Sequence, residues 1–106
     1  LLKFMASLTT IDKLTLERLF QMSGGYVLNF SDRTLHDFFI DDIGLDLSQE
    51  KYLQDGGSKA KRLRVFWRVE NDKLVGNSIK KMIDYLENQI LLNNVRAEYF
   101  PSELIK

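Results

Sequence analysis

Apolar side chains recur along most of this chain at intervals of three and four residues, the spacing of one face of an α-helix. The longest series predicts a helix over residues 73–93. A shorter series follows Ser31, a favourable N-cap residue, and predicts a helix that ends at Gly44. The long series is Val75, Ile79, Met82, Ile83, Leu86 and Ile90; the short one is Leu35, Phe38, Phe39, Asp42 and Ile43.

Two further helices are expected from the same kind of spacing. One begins near Thr9 or Thr15 and runs to about Met22, with Leu16, Leu19 and Phe20 on its apolar side. The other runs from Lys59 to about Glu70. Each helix is bounded by residues that favour turns.

The connecting segments are short and contain glycine. Ser23-Gly24-Gly25 is expected to end the first helix, and Ser58 to cap the helix that starts at Lys59. Residues 26–30 alternate in polarity and predict a short extended segment, too short to found a sheet. A short turn is expected from Ser48 to Tyr52.

The composition agrees with a helical fold. Leucine, with 17 residues, outnumbers isoleucine and valine together, with 12, and β-branched residues lose rotamer freedom in helices. We therefore predict an all-α fold, a compact bundle of four to five helices, with residues 1–94 as a single domain. Residues 95–106 are expected to be a linker and the start of a truncated following helix at Pro101-Ser102-Glu103, as in a fragment of a longer protein.

Several kinds of site are excluded by composition. The 106 residues include no cysteine, which excludes disulfides, thiol nucleophiles and thiolate metal sites, and the single histidine excludes a histidine-rich metal cluster. No unbroken apolar run is longer than three residues, so no membrane-spanning segment is predicted. We expect a cytoplasmic protein with no cofactor and no metal.

The formal net charge of zero hides a split between two parts of the chain. Residues 1–57 hold five basic and nine acidic side chains, whereas residues 58–106 hold ten basic and six acidic ones. Such asymmetry suggests an electrostatic partner, or two halves that attract each other. The candidate binding residues are Lys59, Lys61, Arg62, Arg64 and Arg68, with Lys80 and Lys81 extending the surface if the fourth helix packs alongside.

Wound as a helix at 100° per residue, segment 59–68 separates its basic from its apolar side chains. Lys61, Arg64 and Arg68 fall within about 60° of one another, and the aromatic residues of the segment point to the core, where they cannot stack on bases. Two interpretations stay open: an array that binds nucleic-acid phosphates, or a solvated face paired with the acids of residues 32–55. The apolar side is Ala60, Leu63, Phe66 and Trp67.

His36 is the one candidate for acid–base catalysis, and its surroundings in sequence do not complete a catalytic site. It lies four residues after Asp32, which predicts an i, i+4 contact on the surface. Asp37, Asp41 and Asp42 lack the spacing of a calcium-binding loop and predict a solvated face. No catalytic residue is therefore predicted.

Two segments resemble a known family. They are residues 19–39, with the sequence LFQMSGGYVLNFSDRTLHDFF, and residues 58–67, with the sequence SKAKRLRVFW, which Leu74-Val75-Gly76 follows. Together they resemble the N-terminal helical domain of bacterial abortive-infection proteins of the AbiJ type, over roughly residues 15–92.

This resemblance implies a prokaryotic phage-defence protein in which the domain precedes an effector, often a HEPN-like ribonuclease. The signature of that nuclease is an arginine followed four to six residues later by a histidine, whereas His36 follows Arg33 by three. The leading hypothesis is therefore a non-enzymatic interaction or regulatory module that couples a signal to its own downstream effector domain or to another protein. The alternative is a nucleic-acid-binding module that uses helix 59–68, and enzyme activity centred on His36 is a third hypothesis.

Overall fold

The computed structural model of the chain describes residues 7–99, which fold into four α-helices joined by short turns. They are α1 (Thr10–Leu19), α2 (Asp32–Phe38), α3 (Lys59–Val69) and α4 (Asp72–Leu91). Three 3₁₀ turns and one π turn complete the described part: Ser23–Gly25, Glu50–Tyr52 and Ala97–Tyr99, and the π turn Phe39–Ile43. The predicted all-α fold is confirmed, whereas the helix start expected at Pro101 lies outside the described residues.

Each α-helix is preceded by an N-cap residue whose side-chain oxygen accepts a hydrogen bond from the backbone N–H three residues later. In α1 the bond is reciprocal, because the Asp12 carboxylate also accepts from the Thr9 N–H at 3.0 Å. The predicted caps Ser31 and Ser58 are confirmed. The complete set is Thr9, Ser31, Ser58 and Asn71.

The end of α1 differs from the prediction. The helix stops at Leu19, and Gln21 rather than a glycine takes a left-handed conformation, with φ of 51°. Segment 26–30 is not extended throughout, since the chain turns at Leu28, whose N–H donates to the Phe20 carbonyl at 2.7 Å. Val27, directly before this turn, is fully buried in the core.

The apolar series predicted for α2 continues from the helix into the π turn Phe39–Ile43. Leu35 and Phe39 are fully buried, and the π turn that follows closes when the Gly44 N–H donates to the Phe39 carbonyl at 2.8 Å. Gly44 has φ of 81°, a conformation that glycine adopts without steric cost. Gly44 thus ends the helical segment, as the sequence predicts.

Helix α3 is the central element of the fold. Six of its eleven residues are buried, including the four predicted apolar ones. The buried sector is wider than predicted, because Val65 and Arg62 also lie inside. Phe66 packs edge-on against Phe39 and Tyr52, with ring centroids 5.5 and 6.0 Å apart.

A second aromatic group joins α2 to α4. Phe30 stacks on Tyr85 with a centroid distance of 4.2 Å, and Phe38 contacts both rings. The Tyr85 hydroxyl donates to the Asn29 side chain at 2.6 Å, so the turn at 28–29 is tied to α4. None of the helices within residues 7–99 combines the length and the apolar character needed to cross a lipid bilayer.

The end of α3 is fastened to the 3₁₀ turn at Glu50–Tyr52. Tyr52 is fully buried and its hydroxyl donates to Glu70 Oε2 at 2.5 Å, while Lys51 Nζ lies 3.0 Å from the same oxygen. The hydrogen bond from Tyr52, aided by Lys51, lowers the pKa of Glu70 against the opposing effect of burial. Burial and the neighbouring carboxylate raise the pKa of the Tyr52 hydroxyl.

This lowered pKa predicts how the stability of the fold changes with pH. The pKa of folded Glu70 lies below the ordinary value of 4.5, so its stabilisation is present above about pH 4.5 and is lost as the pH falls. The Glu70→Gln variant should lower the free energy of unfolding by about 1–2 kcal/mol at pH 7 and by progressively less at lower pH. Denaturant unfolding of wild type and variant, followed by the fluorescence of the single tryptophan, Trp67, measures this difference in the free energy of unfolding at pH 7 and at pH 3.

The matched control is Glu87→Gln, which removes an exposed carboxylate from α4 and should change stability little at either pH. A Glu70→Gln deficit of the same size at pH 3 and pH 7 would contradict the ionic origin of this contact.

Candidate interaction surface

The basic segment of α3 forms a strip along the outer side of the helix. Lys61 and Arg68 are exposed, and Arg64 between them is about one-third exposed. The aromatic residues of the segment, Phe66 and Trp67, are buried on the other side, as predicted. The strip thus presents cations but no base-stacking side chain.

All three arginines of α3 bind acidic side chains of the same chain. Each acid comes from a different segment: α1, the first residue of α2, and the loop between Tyr52 and Ser58. The pairs are Arg64 with Glu17 at 2.8 Å, Arg62 with Asp32 at 2.9 Å and Arg68 with Asp55 at 3.0 Å. We call these three contacts the arginine pairs.

The sequence left two interpretations of the basic segment open, phosphate binding or pairing with the domain's own acids. The arginine pairs agree with the second. Asp32 and Asp55 belong to the predicted acidic stretch of residues 32–55, whereas Glu17 lies before it. Charge-assisted contacts from a planar guanidinium have defined directions, so they fix the position of the acid-bearing segments. The arginines therefore hold other elements against α3.

Arg62 has a different position from the rest of the basic segment. Only 7% of its surface is exposed, its Nη2 binds Asp32 Oδ1, and its Nε has no hydrogen-bond partner. The sequence placed Arg62 among the candidate binding residues. Its helical position turns it towards the start of α2, where an external ligand has almost no access to it.

The lysines of the segment stand at the beginning of α3 and bind no acid in the part of the chain that the structure describes. Lys59 Nζ lies 5.4 Å from the ring centre of Tyr26, whose side chain is exposed. The stem of Lys61 crosses Gly56, where an added Cβ would come within 2.8 Å of Lys61 Cδ. Two lysines therefore remain as the unpaired cations of segment 59–68.

Lys80 and Lys81 lie on the exposed side of α4. Neither makes an ion pair within residues 7–98, and no hydrogen bond or ion pair of theirs joins the strip on α3. At 100° per residue, Asp84 falls between the two lysines on this side of the helix, and it is exposed too. This part of the surface therefore carries charges of both signs.

His36 does not contact Asp32, and that prediction is wrong. Its Nδ1 lies 3.5 Å from Asp46 Oδ1, whereas Asp32 binds Arg62. Asp46 accepts hydrogen bonds from the hydroxyl and the N–H of Ser48, and these contacts lower the pKa of its carboxyl. Asp46, rather than Ser48, therefore organises the turn before Tyr52.

The acidic residues after His36 are exposed, as predicted. Asp37 lies 3.8 Å from Arg33, one turn earlier, and Asp41 and Asp42 project from the π turn. Within residues 7–98, no three histidine, cysteine, aspartate or glutamate side chains converge in a way that could hold a metal ion.

A pocket of about 400 Å³ lies beyond the end of α4. One side of it carries the ion pair between Arg96 and Glu98, at 3.5 Å. None of the predicted basic residues lines this pocket. The lining residues are Ile90, Asn93, Val95, Arg96, Ala97 and Glu98.

The outer side of α1 carries a surface that the sequence patterns did not single out. Ile11 and Leu14 are 75% and 62% exposed, and Arg18 follows on the same side of the helix. We call these three residues the α1 face. The signal was present in sequence as two apolar residues three positions apart that lie off the buried stripe of Leu16 and Leu19.

Another pair of exposed apolar residues differs from the α1 face in geometry. Leu91 and Leu92, at the end of α4, are adjacent in sequence and project about 100° apart. Ile11 and Leu14 are instead neighbours on one helical side, the arrangement by which a helix presents anchors to a partner.

The chain matches no protein-family model, no curated protein sequence and no solved structure.

The arginine pairs predict unequal effects of two charge reversals on the same strip. Arg64→Glu places a carboxylate against Glu17 and should lower the free energy of unfolding by about 1 kcal/mol, because solvent partly screens a pair whose side chains are each about one-third exposed. This loss corresponds to a fall in Tm of roughly 4–8 °C. Adding Glu17→Arg to that variant should restore most of the loss, which thermal melts would measure.

Lys61→Glu is the matched control, since Lys61 lies on the same strip without an acidic partner among the described residues. Its melting temperature should stay near that of the wild type. Equal destabilisation by Lys61→Glu and Arg64→Glu would show that the Glu17 contact has no special role.

Proposed function

We propose that this domain is a non-catalytic interaction module that docks a partner protein on its α1 face. The observation that carries the proposal is the exposure of Ile11 and Leu14 on one side of a capped helix. Full burial of an aliphatic side chain contributes about 1.5–3 kcal/mol, so two neighbouring ones form a useful anchor for binding.

The rest of the fold holds this face in a fixed position. Leu16 and Leu19, on the opposite side of α1, are fully buried, and Arg64 reaches from α3 to Glu17. The capping box at Thr9 and Asp12 fixes the first turn, where Ile11 lies. A partner would therefore meet a preorganised helix and would pay little ordering entropy to bind it.

The arginine pairs favour a protein partner over a nucleic acid. Phosphate binding gains from free cations that release condensed counterions. Three of the five cations of segment 59–68 already bind carboxylates of the same chain. Within the described part of the chain, only two cations of the segment, Lys59 and Lys61, are free to bind phosphates, and two cations are few for a dedicated nucleic-acid surface.

The resemblance to AbiJ-type proteins supplies the biological part of the proposal. In that setting the module acts in the cytoplasm of a prokaryotic cell and couples a signal of phage infection to a downstream effector, in the same protein or in another one. The basic lysines then serve as secondary contacts around the docked partner. The α1 face supports docking of a partner, and the resemblance supports the defence setting.

Disruption of the α1 face should abolish the protective effect in cells. The complete gene that contains this sequence is expressed with its neighbouring genes in a bacterial host, so that the effector is present, and plaque numbers are counted for a panel of phages. We expect protection by the wild type and its loss in the double variant Ile11→Asp, Leu14→Glu. Both substitutions suit the helix, since Ile11→Asp places an acid in the first turn and glutamate at position 14 has a high helix propensity, so the loss reflects the surface and not the fold.

The control variant is Asn77→Asp, Asn88→Glu, which adds two carboxylates to the exposed side of α4 and should protect like the wild type. Circular dichroism confirms that all three proteins are folded. Full protection by the α1 variant would overturn the docking surface, and an unprotected wild-type strain would overturn the defence role.

The nucleic-acid alternative predicts a different measurement. If all five cations of segment 59–68 bound phosphates, log affinity for a single-stranded oligonucleotide would fall with log salt at a slope of about −3.5; two free lysines limit the slope to about −1.4. We expect the shallower slope, together with weak binding, in fluorescence anisotropy titrations between 50 and 200 mM salt (about a fourfold range). A slope near −3.5 would mean that the arginines leave their acids to bind phosphates, and would favour the alternative.

A further inference from the structure

The α1 face has a charged group at each end of its apolar centre. At its C-terminal end Arg18 is exposed and binds no acid within residues 7–98. At its N-terminal end Ser7 Oγ donates to Asp72 Oδ2 at 2.7 Å, which places that exposed carboxylate beside the start of α1. Asp72 in turn binds no cation in the described part of the chain. Among the described residues, an unpaired cation therefore lies at the C-terminal end of α1, and an unpaired anion lies beside the segment that precedes its N-terminal end.

We infer that the partner of the α1 face is a second copy of this chain, bound with its α1 antiparallel. The inference rests on the proposed function only in so far as that function makes the α1 face a docking surface. A twofold axis between Ile11 and Leu14 places Ile11 of each copy against Leu14 of the other. The same contact is thus made twice, as a closed dimer requires.

The register of this pairing follows from the helix geometry. Arg18 is 5.5 residues from an axis at the midpoint of residues 11 and 14, which is about 8 Å at 1.5 Å per residue. The antiparallel arrangement therefore brings Arg18 to the N-terminal end of α1 in the other copy, across helix axes about 8–10 Å apart. The segment that precedes this end is not helical, and its Ser7 binds Asp72.

Other residues of α1 are compatible with this register. Thr15 lies opposite Thr10 of the second copy, so small side chains surround the apolar centre. A parallel pairing would instead place the two Arg18 side chains beside each other, and like charges oppose such a contact. The charges of the α1 face thus favour the antiparallel dimer over the parallel one.

The contact is small and belongs to the weak, transient class of interfaces. Sedimentation equilibrium of the purified chain should therefore be measured up to about 1 mM, the upper end of weak association. The average mass should rise with concentration from the monomer value of 12.4 kDa towards twice that value. A constant monomer mass over this range overturns the inference.

Two charge reversals test the register itself. Arg18→Asp faces an acid with an acid, and Asp72→Arg faces a cation with a cation, so each variant alone should associate at least tenfold more weakly than the wild type. In an equal mixture of the two variants, both charged contacts of the heterodimer are again of opposite sign. The mixture should therefore associate about as strongly as the wild type.

This mixing experiment excludes a folding defect as the explanation. Asp72→Arg changes the first residue of α4, and a damaged fold would not recover when a second variant is added. Failure of the mixture to recover association, with both variants folded by circular dichroism, overturns the antiparallel register.

The outcomes also separate this inference from the proposed function. If the chain stays monomeric and the Ile11→Asp, Leu14→Glu variant loses protection, the α1 face binds a different protein and the dimer is wrong. If the mixture recovers dimers and that variant protects fully, the dimer stands and the proposed function is wrong.

Discussion

The fold depends on one constraint: α3 is surrounded on most sides by other elements, yet it carries five cations. A buried charge without a partner is strongly destabilising, so Arg62, which is 7% exposed, requires an acid at this central position. Asp32 meets that requirement, and Glu17 and Asp55 pair with the more exposed Arg64 and Arg68. Because each acid lies at a fixed place on its own element, the arginine pairs also determine how those elements are arranged around α3.

The net charge of zero has a structural explanation in these contacts. The acidic excess of residues 1–57 and the basic excess of residues 58–106 meet at α3, where the arginine pairs lie. The charge asymmetry of the sequence suggests an external partner. In the structure, three of the basic side chains instead pair with acids of the same domain. The net favourable energy of each exposed pair is small, and Arg62, the buried one, keeps an unpartnered Nε. The pairs therefore contribute more to the arrangement of the elements than to total stability.

Local features of this fold were predictable from sequence, and contacts between distant residues were not. Ser31, Ser58 and Gly44 act within a few residues of their own position, so helix starts and stops follow from residue type. The direction of the apolar side of α3 follows from its period. The acid that each arginine binds does not follow from the local sequence, because the partners of Arg62, Arg64 and Arg68 lie 30, 47 and 13 positions away. The same holds for His36, whose predicted partner was Asp32 and whose partner in the structure is Asp46, ten positions away.

The distinction between paired and unpaired groups connects the fold to the candidate site. A basic segment attracts attention in a sequence because of its charge, but three of its five side chains are bound within the domain. The α1 face was inconspicuous because two apolar residues and one arginine are common on any helix. The burial of each side chain shows which of these surfaces the fold leaves free. Leu16 and Leu19 fill the buried side of α1, so Ile11 and Leu14 on the other side contribute nothing to the core. Exposed apolar groups that the fold does not use, on a helix that the fold holds rigid, are a stronger indication of binding than charges that the fold has already neutralised.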